Sequence, residues 1–423
     1  MTDATSPAGQ RFVTLDVVRG AAVMGILVLN IVAFAMPFPA YSNPAAYGGD
    51  TGINLAAWAA NFVLFDGKMR TLFSMLFGAS TLLVIERARA SDRGGASAHY
   101  TRMIVLLAVG CLHFWFLWFG DILALYAMCG MIIYVFRKQS PRALIGWAVV
   151  LIGLSVIFYG LVSWVASMAG SPGLSPEAAA GAIEARRALE LEVGANSGKI
   201  ASELAIYRSG YAEIVDYRLG KMTWMPFTSL FGYGLETVAL MLIGMAMYKS
   251  GFVTGDWPRA SYRRWAIWGL ALGLPPLVLL ASRIVTTDFD TPLLFASLVA
   301  ISAPFDIPVA IAIAALLILW IGSGAAPALR DRVAAAGRMA FTNYLATSLV
   351  MTSLFYGYGL GLFGLVERAA LWLPVISMWA LMLAWSKPWL DRFHYGPLEW
   401  LWRSLSRGSL QPMRKAGREP VPV

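Results

Sequence analysis

Charge is what this sequence has least of. Asp, Glu, Lys and Arg make up 13% of its 423 residues while 58% are hydrophobic, whereas a soluble domain carries about a quarter charged residues. An ordinary soluble protein is thereby excluded. Cysteine is scarce as well. Cys111 and Cys129 fall in apolar stretches without CxxC or metal-type spacing, so they read as small core residues rather than a disulfide framework or a metal centre. There is no P-loop, no GxSxG, no HExxH and no Cys/His cluster, so nothing points to a nucleotide fold, a serine-hydrolase elbow or a resident metal. No internal repeat stands out, which weighs against an inverted-repeat transporter. A cleavable signal is missing too: Met1 to Gln10 is polar, and the apolar run after Arg19 is too long for a signal h-region.

What the chain does have is apolar stretches of membrane-crossing length, since about 20 residues of helix span a hydrocarbon core roughly 30 Å thick. Ten are read, at roughly 15–37, 69–87, 102–119, 121–137, 142–169, 222–249, 263–285, 293–322, 337–360 and 366–387. The expectation is an all-α, polytopic membrane protein with about ten transmembrane helices, one membrane domain over residues 1–423. The net charge of +9 does not point to nucleic acid, because the basic residues sit at span ends and in short loops. Those loops carry Arg87, Arg89, Arg93 and Arg102; Arg137, Lys138 and Arg142; Lys249, Arg259, Arg263 and Arg264; Arg330, Arg332 and Arg338; and Lys387, Arg392, Arg403 and Arg407. With ten spans all lie on one side, while loops 38–52 and 286–292 contain no Lys or Arg. The positive-inside rule then places both termini in the cytoplasm of a bacterial inner-membrane protein.

Two segments stand apart. Residues 171–221 are too polar to span and carry mixed charge, including Glu184, Arg186, Arg187, Glu190 and Glu192; they read as an extracytoplasmic helical insert, a cap or a lid over an acceptor site. Residues 388–423 read as a cytoplasmic interfacial tail, with Trp400 and Trp402 at the headgroup level and Arg403 toward anionic lipid.

Polar groups inside spans are costly and mark pathways or sites. Asp16 and Arg19 sit at the mouth of the first span, with Asn30 eleven residues past the arginine. Asp66, Lys68 and Arg70 mark the outer entrance of the second, and Asp121 the outer turn between the third and fourth. Glu236 and Asp306 fall near mid-depth, and Pro304 and Pro308 beside Asp306 predict a kink. Asn343 lies nearer the cytoplasm. His113 is the one histidine read within a span, His99 and His394 being assigned to cytoplasmic segments. Its imidazole suits a general base, with an ordinary pKa near 6.5, or else bonds between packed helices. Asp121 is eight residues on, which along a straight helix is about 12 Å away and roughly 80° round the axis. A direct His113–Asp121 bond is therefore not expected, and Lys68 or Arg70 is the expected partner of Asp121.

The chain resembles the YeiB-like family of bacterial membrane proteins, a domain of unknown function. The likeness rests on Leu15-Asp-Val-Val-Arg-Gly with Gly25-Ile-Leu-Val-Leu-Asn-Ile, on Asp66-Gly-Lys-Met-Arg-Thr-Leu-Phe-Ser-Met-Leu-Phe-Gly, and on Gly110-Cys-Leu-His with Gly120-Asp-Ile-Leu-Ala-Leu-Tyr. Gly337-Arg-Met-Ala-Phe-Thr-Asn-Tyr and Gly396-Pro-Leu-Glu-Trp-Leu-Trp-Arg complete the set. More remotely it is similar to membrane acyltransferases, both the sugar O-acyltransferases and the heparan glucosaminide N-acetyltransferase type. That resemblance implies transfer of an acyl group from cytoplasmic acetyl-CoA or another acyl-CoA to a hydroxyl or amine on a small-molecule or glycan acceptor across the membrane. Arg19 matches the first-span arginine. Where the O-acyltransferases have a histidine this chain has Asn30, and it has no histidine between Asn30 and His99. The implied assignment is His113 as base, Asn30 as oxyanion donor, and Arg19 with neighbouring arginines at the phosphates; Asp66, Lys68, Arg70, Asp121, Glu236, Asp306 and Asn343 are further binding candidates. The runner-up is an exporter of a small metabolite or lipid-linked sugar working through Glu236 and Asp306. A non-catalytic partner of another envelope enzyme is a third reading, and homo-oligomerisation stays open.

Overall fold

A computed structural model describes residues 13–90 and 94–415. The polar N-terminal stretch, Arg11, Arg93 and residues 416–423 of the tail lie outside the described residues. The first helices are α1 (Val13–Ala35), α2 (Gly52–Leu64), α3 (Lys68–Ala90), α4 (Gly95–Phe116), α5 (Leu123–Ile133) and α6 (Pro141–Ser167). Residues 171–221 form α7 (Pro176–Val193), α8 (Lys199–Tyr207) and α9 (Tyr211–Lys221). Then come α10 (Met225–Lys249), α11 (Arg259–Thr286), α12 (Thr291–Ala296), α13 (Ala303–Ser323), α14 (Pro327–Arg338), α15 (Ala340–Phe355), α16 (Trp372–Arg392) and α17 (Pro397–Arg407). Among the described residues there is no strand, only one isolated bridge between Phe393 and Arg414.

The protein is a polytopic all-α membrane protein. In lipid every backbone N–H and C=O must be paired internally, which long apolar runs achieve as helices. Eight helical stretches are long and apolar enough to cross a membrane. The fourth and ninth spans read from sequence fall short. Helix α5 has 11 residues before tightening into a 3-10 turn at Tyr134–Lys138, and α15 has 16, separated from α14 at Met339. The kink expected around Asp306 is preceded by a π-helical turn at Ser297–Ile301, with Pro304 in the first turn of α13 and Pro308 inside it. Helix starts follow local chemistry: Ser140 and Ser175 each accept a backbone N–H in front of a proline at the first helical position.

Burial separates centre from periphery. The apolar cores of α1 and α10 are 72% buried against 11% for α6, so α1 and α10 are surrounded by protein while α6 is left to lipid. One core gathers α3, α5, α10 and α13, and a second, rich in aromatic rings, joins α1, α4, α15 and α16 to the 171–221 helices. The central helices are the ones that carry Arg19, Asn30, Lys68, Arg70 and Glu236.

Candidate functional site

Helix α4 stops at Phe116, and residues 117–122 reverse the chain so that α5 runs back along α4. This reversal brings Asp121 beside His113: Asp121 Oδ2 lies 2.6 Å from His113 Nδ1. The expected absence of this pair is thus corrected, since the straight-helix geometry behind it ends three residues past the histidine. Gly110 makes the approach close, because a Cβ there would strike the Ala124 backbone and crowd the Asp121 carboxylate. The other carboxylate oxygen accepts from Ala124 N at 2.9 Å, fixing the side chain. Both side chains are 1% exposed. The imidazole's Nε2 is buried without a partner. A carboxylate on Nδ1 orients the ring and leaves Nε2 to exchange a proton, the arrangement used by histidine bases.

The pairing expected for Lys68 and Arg70 is corrected as well. Lys68 Nζ lies 2.7 Å from Asp306 Oδ1, their side chains 1% and 5% exposed, and also donates to Phe62 O at 2.7 Å. Gly67 is required at this contact: it holds φ +71°, and any Cβ would collide with the Asp306 carboxylate. Arg70 donates to both oxygens of Glu236 at 2.8 and 2.9 Å. Each cation is claimed by a helix far along the chain rather than by its neighbour in depth. Asp66 begins the turn before Lys68, whose N–H bonds its carbonyl. Asn343 spends its amide within the protein, donating to Ala336 O and Ser386 Oγ and accepting from Trp385 Nε1, so it ties α14, α15 and α16 together.

A cavity of about 470 Å³ opens at the end of the bundle where the basic helix termini gather, a size in the range of small-molecule sites. Asp16, Arg19, Val23 and Ile26 line it from α1, a stripe of positions three or four apart that Asn30 continues one turn deeper. Asn30 itself is half-buried, outside the cavity lining, and shares its face with Phe34, whose ring stacks on Trp118 at 3.9 Å. The rim carries Arg19, Arg87, Arg102, Arg338 and Arg403 against the acids Asp16 and Glu399. Arg19 is steadied by Ser80 Oγ at 2.7 Å and Asp16 at 3.5 Å. Glu399 is committed to the first turn of α15 through Phe341 N and Thr342 N, which leaves the rim strongly positive. Burial, with Arg407 and Arg87 nearby, pushes the Arg403 guanidinium below its ordinary pKa despite Tyr395.

The inner wall is apolar and aromatic, including Ile122, Leu123, Tyr126 and Tyr344. Tyr344 stands between the cavity and the dyad, its ring 5.4 Å from the His113 ring and its hydroxyl held by the turn, at Gly120 O (3.4 Å) and the Ile122 backbone. From Tyr126 a hydrogen bond of 2.6 Å reaches Ser74 Oγ, which donates to Arg70 O, so the cavity wall is continuous with the Arg70–Glu236 pair.

Several of these residues were not singled out by sequence reasoning. His99, read as part of a cytoplasmic segment, sits in the first turns of α4, buried, bonded to Gly130 O at 2.9 Å and lining the cavity. Trp402 and Arg403 of the tail helix line the cavity: Trp402 donates to Arg102 O at 3.1 Å, and Arg102 stacks over its ring at 4.2 Å. The amphipathic period of α17, with Leu401 and Leu405 exposed and Trp402 and Arg403 half-buried, was the signal that could have found this face. Tyr126 and Tyr344 close two of the motifs that carry the family resemblance and Arg102 stood among the basic residues at span ends, but none of them was assigned a role.

The profile of a family described as "Protein of unknown function (DUF418)" matches residues 247–409. The chain is 32% identical over 410 residues to uncharacterized protein YeiB of Escherichia coli (strain K12), covering 95% of this chain and 98% of that one. It is also 32% identical over 423 residues to uncharacterized protein YxaH of Bacillus subtilis (strain 168), covering 96% of each. No solved structure gives a significant match.

Proposed function

This chain belongs to the YeiB-like family of membrane proteins, and from that premise we propose that it is an acyl-CoA-dependent membrane acyltransferase of the bacterial inner membrane. The proposal includes ten spans with both termini in the cytoplasm, so that the basic cavity faces acyl-CoA and residues 171–221 face the acceptor. The observation that carries the reading is the junction of the two features: a positive cavity whose inner aromatic wall abuts a buried histidine–carboxylate dyad. Arginine forks suit the phosphates of a nucleotide carrier, and the apolar inner wall suits its acyl end.

In this reading Tyr344 swings aside to admit the thioester. His113 Nε2 takes the proton of an acceptor hydroxyl or amine as that group forms its bond to the thioester carbonyl carbon. Asp121 holds Nδ1–H and stabilises the imidazolium. Asn30, at the top of the α1 stripe, donates to the carbonyl oxygen as it gains charge. The carbon–sulfur bond then breaks, and His113 returns the proton to the departing CoA sulfur.

The test is acetyl-CoA binding to the purified full-length protein by calorimetry, with free CoA, Arg19→Ala and Arg102→Ala as comparisons. Saturable binding weakened at least tenfold by either arginine change is expected. Absence of binding in a folded sample, with longer acyl-CoA donors too, removes the reading. Export then takes its place, supported by the part-buried Arg70–Glu236 pair; proton-driven flux abolished by Glu236→Gln is its signature.

A further inference from the structure

Arg218, on α9, is buried at 1% exposure, and neither its Nε nor its Nη2 has a hydrogen-bond partner. Among the described residues no carboxylate lies within ion-pair reach of it. Its surroundings are aromatic: the guanidinium carbon is 5.8 Å from the Tyr207 ring centroid and 5.6 Å from that of Tyr356. Stacking on tyrosine faces offsets part of the cost of burying a cation, but it leaves the in-plane N–H groups unused. Glu203, on the adjacent α8, is already engaged by Phe38 N at 2.6 Å. The Tyr356 hydroxyl is buried with Arg218 as its one polar neighbour, and Trp118 Nε1 is buried without a partner. A continuous run of ring contacts leads from here to the dyad: Tyr356 to Tyr207, Tyr207 to Phe119, Phe119 to Trp118, and Trp118 to His113.

Unused donors gathered around a buried guanidinium call for one chemistry, an oxyanion with several acceptor lone pairs. We propose that Arg218 and Tyr356 anchor an oxyanionic group, carboxylate or phosphate, of the acceptor. The planar fork of arginine pairs with such a group through two parallel hydrogen bonds, and the Tyr356 hydroxyl supplies a third. The identification of this ligand as the acceptor rests on the acyltransfer reading; the oxyanion site itself does not. Because the anchor lies on the end opposite the basic cavity, the acceptor and the donor enter from different sides. The acceptor class narrows to acids: sugar acids, phosphorylated glycans or anionic lipid headgroups.

The test uses the purified full-length protein and reads its melting temperature against inorganic phosphate, glucuronate and short-chain phosphatidylglycerol at constant ionic strength. A saturable rise is expected in the native protein and in Arg102→Ala, and none in Arg218→Met. A response to phosphate or glucuronate assigns a soluble oxyanion; a response to phosphatidylglycerol alone assigns a headgroup. Without ligand, Arg218→Met is expected to melt no lower than the native protein, because it removes a buried charge that has no counter-charge. A rise that persists in Arg218→Met, or no rise with any probe, overturns the site. Should Arg218→Met fail to fold, Arg218→Lys replaces it: at least tenfold weaker affinity for the effective probe supports the fork, and unchanged affinity overturns it. Acetyl-CoA binding lost in Arg102→Ala but kept in Arg218→Met keeps the two proposals separable.

Discussion

At the level of single residues, the dyad makes the sharpest demand. A positioned general base contributes about 10²- to 10⁴-fold, so His113→Gln is expected to lower transfer of radiolabelled acetyl groups from acetyl-CoA into membrane vesicles by that factor. Asp121→Asn is expected to fall in the same range with acetyl-CoA binding unchanged, because the carboxylate orients the ring and touches no donor. Equal activity in His113→Gln would remove the mechanism. The Lys68–Asp306 pair is a structural counterpart: Asp306→Asn strands a buried ammonium, a loss of about 3–5 kcal/mol, read as a lowered melting temperature, while Lys68→Met with Asp306→Leu recovers most of it. The sequence showed which polar side chains are out of place in lipid and so named His113, Lys68, Arg70, Glu236 and Asp306. It did not show which of them meet, because partner choice depends on where α4 turns back and on α10 and α13 crossing α3. Asp121 was misjudged because its distance from His113 was taken along a straight helix, although a turn near Gly120 was read; the reversal over residues 117–122 folds the carboxylate back onto the ring.

For whole elements, local signals were read well where chemistry is local. The polar 171–221 segment, which forms three helices of its own, was legible because its composition changes over a short stretch of sequence. Span length was harder, because α5 and α15 end at a 3-10 turn and at Met339 within apolar sequence that gives no warning. The insert is pinned by Glu203, whose carboxyl bonds Phe38 N and whose pKa burial pushes above its ordinary value. A carboxyl with a raised docked-state pKa is best satisfied protonated. Docking is therefore tightest below the ordinary value near 4.5 and loosens as pH climbs through the raised one. Amide exchange in residues 199–221 is expected to speed up over that window, and Glu203→Gln is expected to flatten the dependence; an unaltered profile in the variant would assign it elsewhere.

Over the whole molecule, the asymmetry of charge organises the site. Arg19, Arg87, Arg102, Arg338 and Arg403, carried by five separate helices, gather at one cavity, and α1, α3 and α4 also supply apolar residues to its wall. Cys111 and Cys129 are free and buried, so the native chain offers little background to thiol reagents. In intact cells an impermeant maleimide is expected to label Asn196→Cys directly and Ser409→Cys only after lysis, both positions being exposed. Labelling of both would revise the span count, and the reverse pattern would invert the orientation.

The two ion pairs of α3 also set a timetable. Arg70 meets a partner 166 residues further on, and Lys68 meets Asp306 later still. At about 5–20 residues per second of synthesis, α3 is made on the order of ten to thirty seconds before the first of its counter-charges exists. Two unpaired cations in the first turn of α3 are costly to bury, so that end of α3 is expected to close into the bundle only when α10 and then α13 arrive. The centre of this protein is thus assembled last, around a helix that was made among the first.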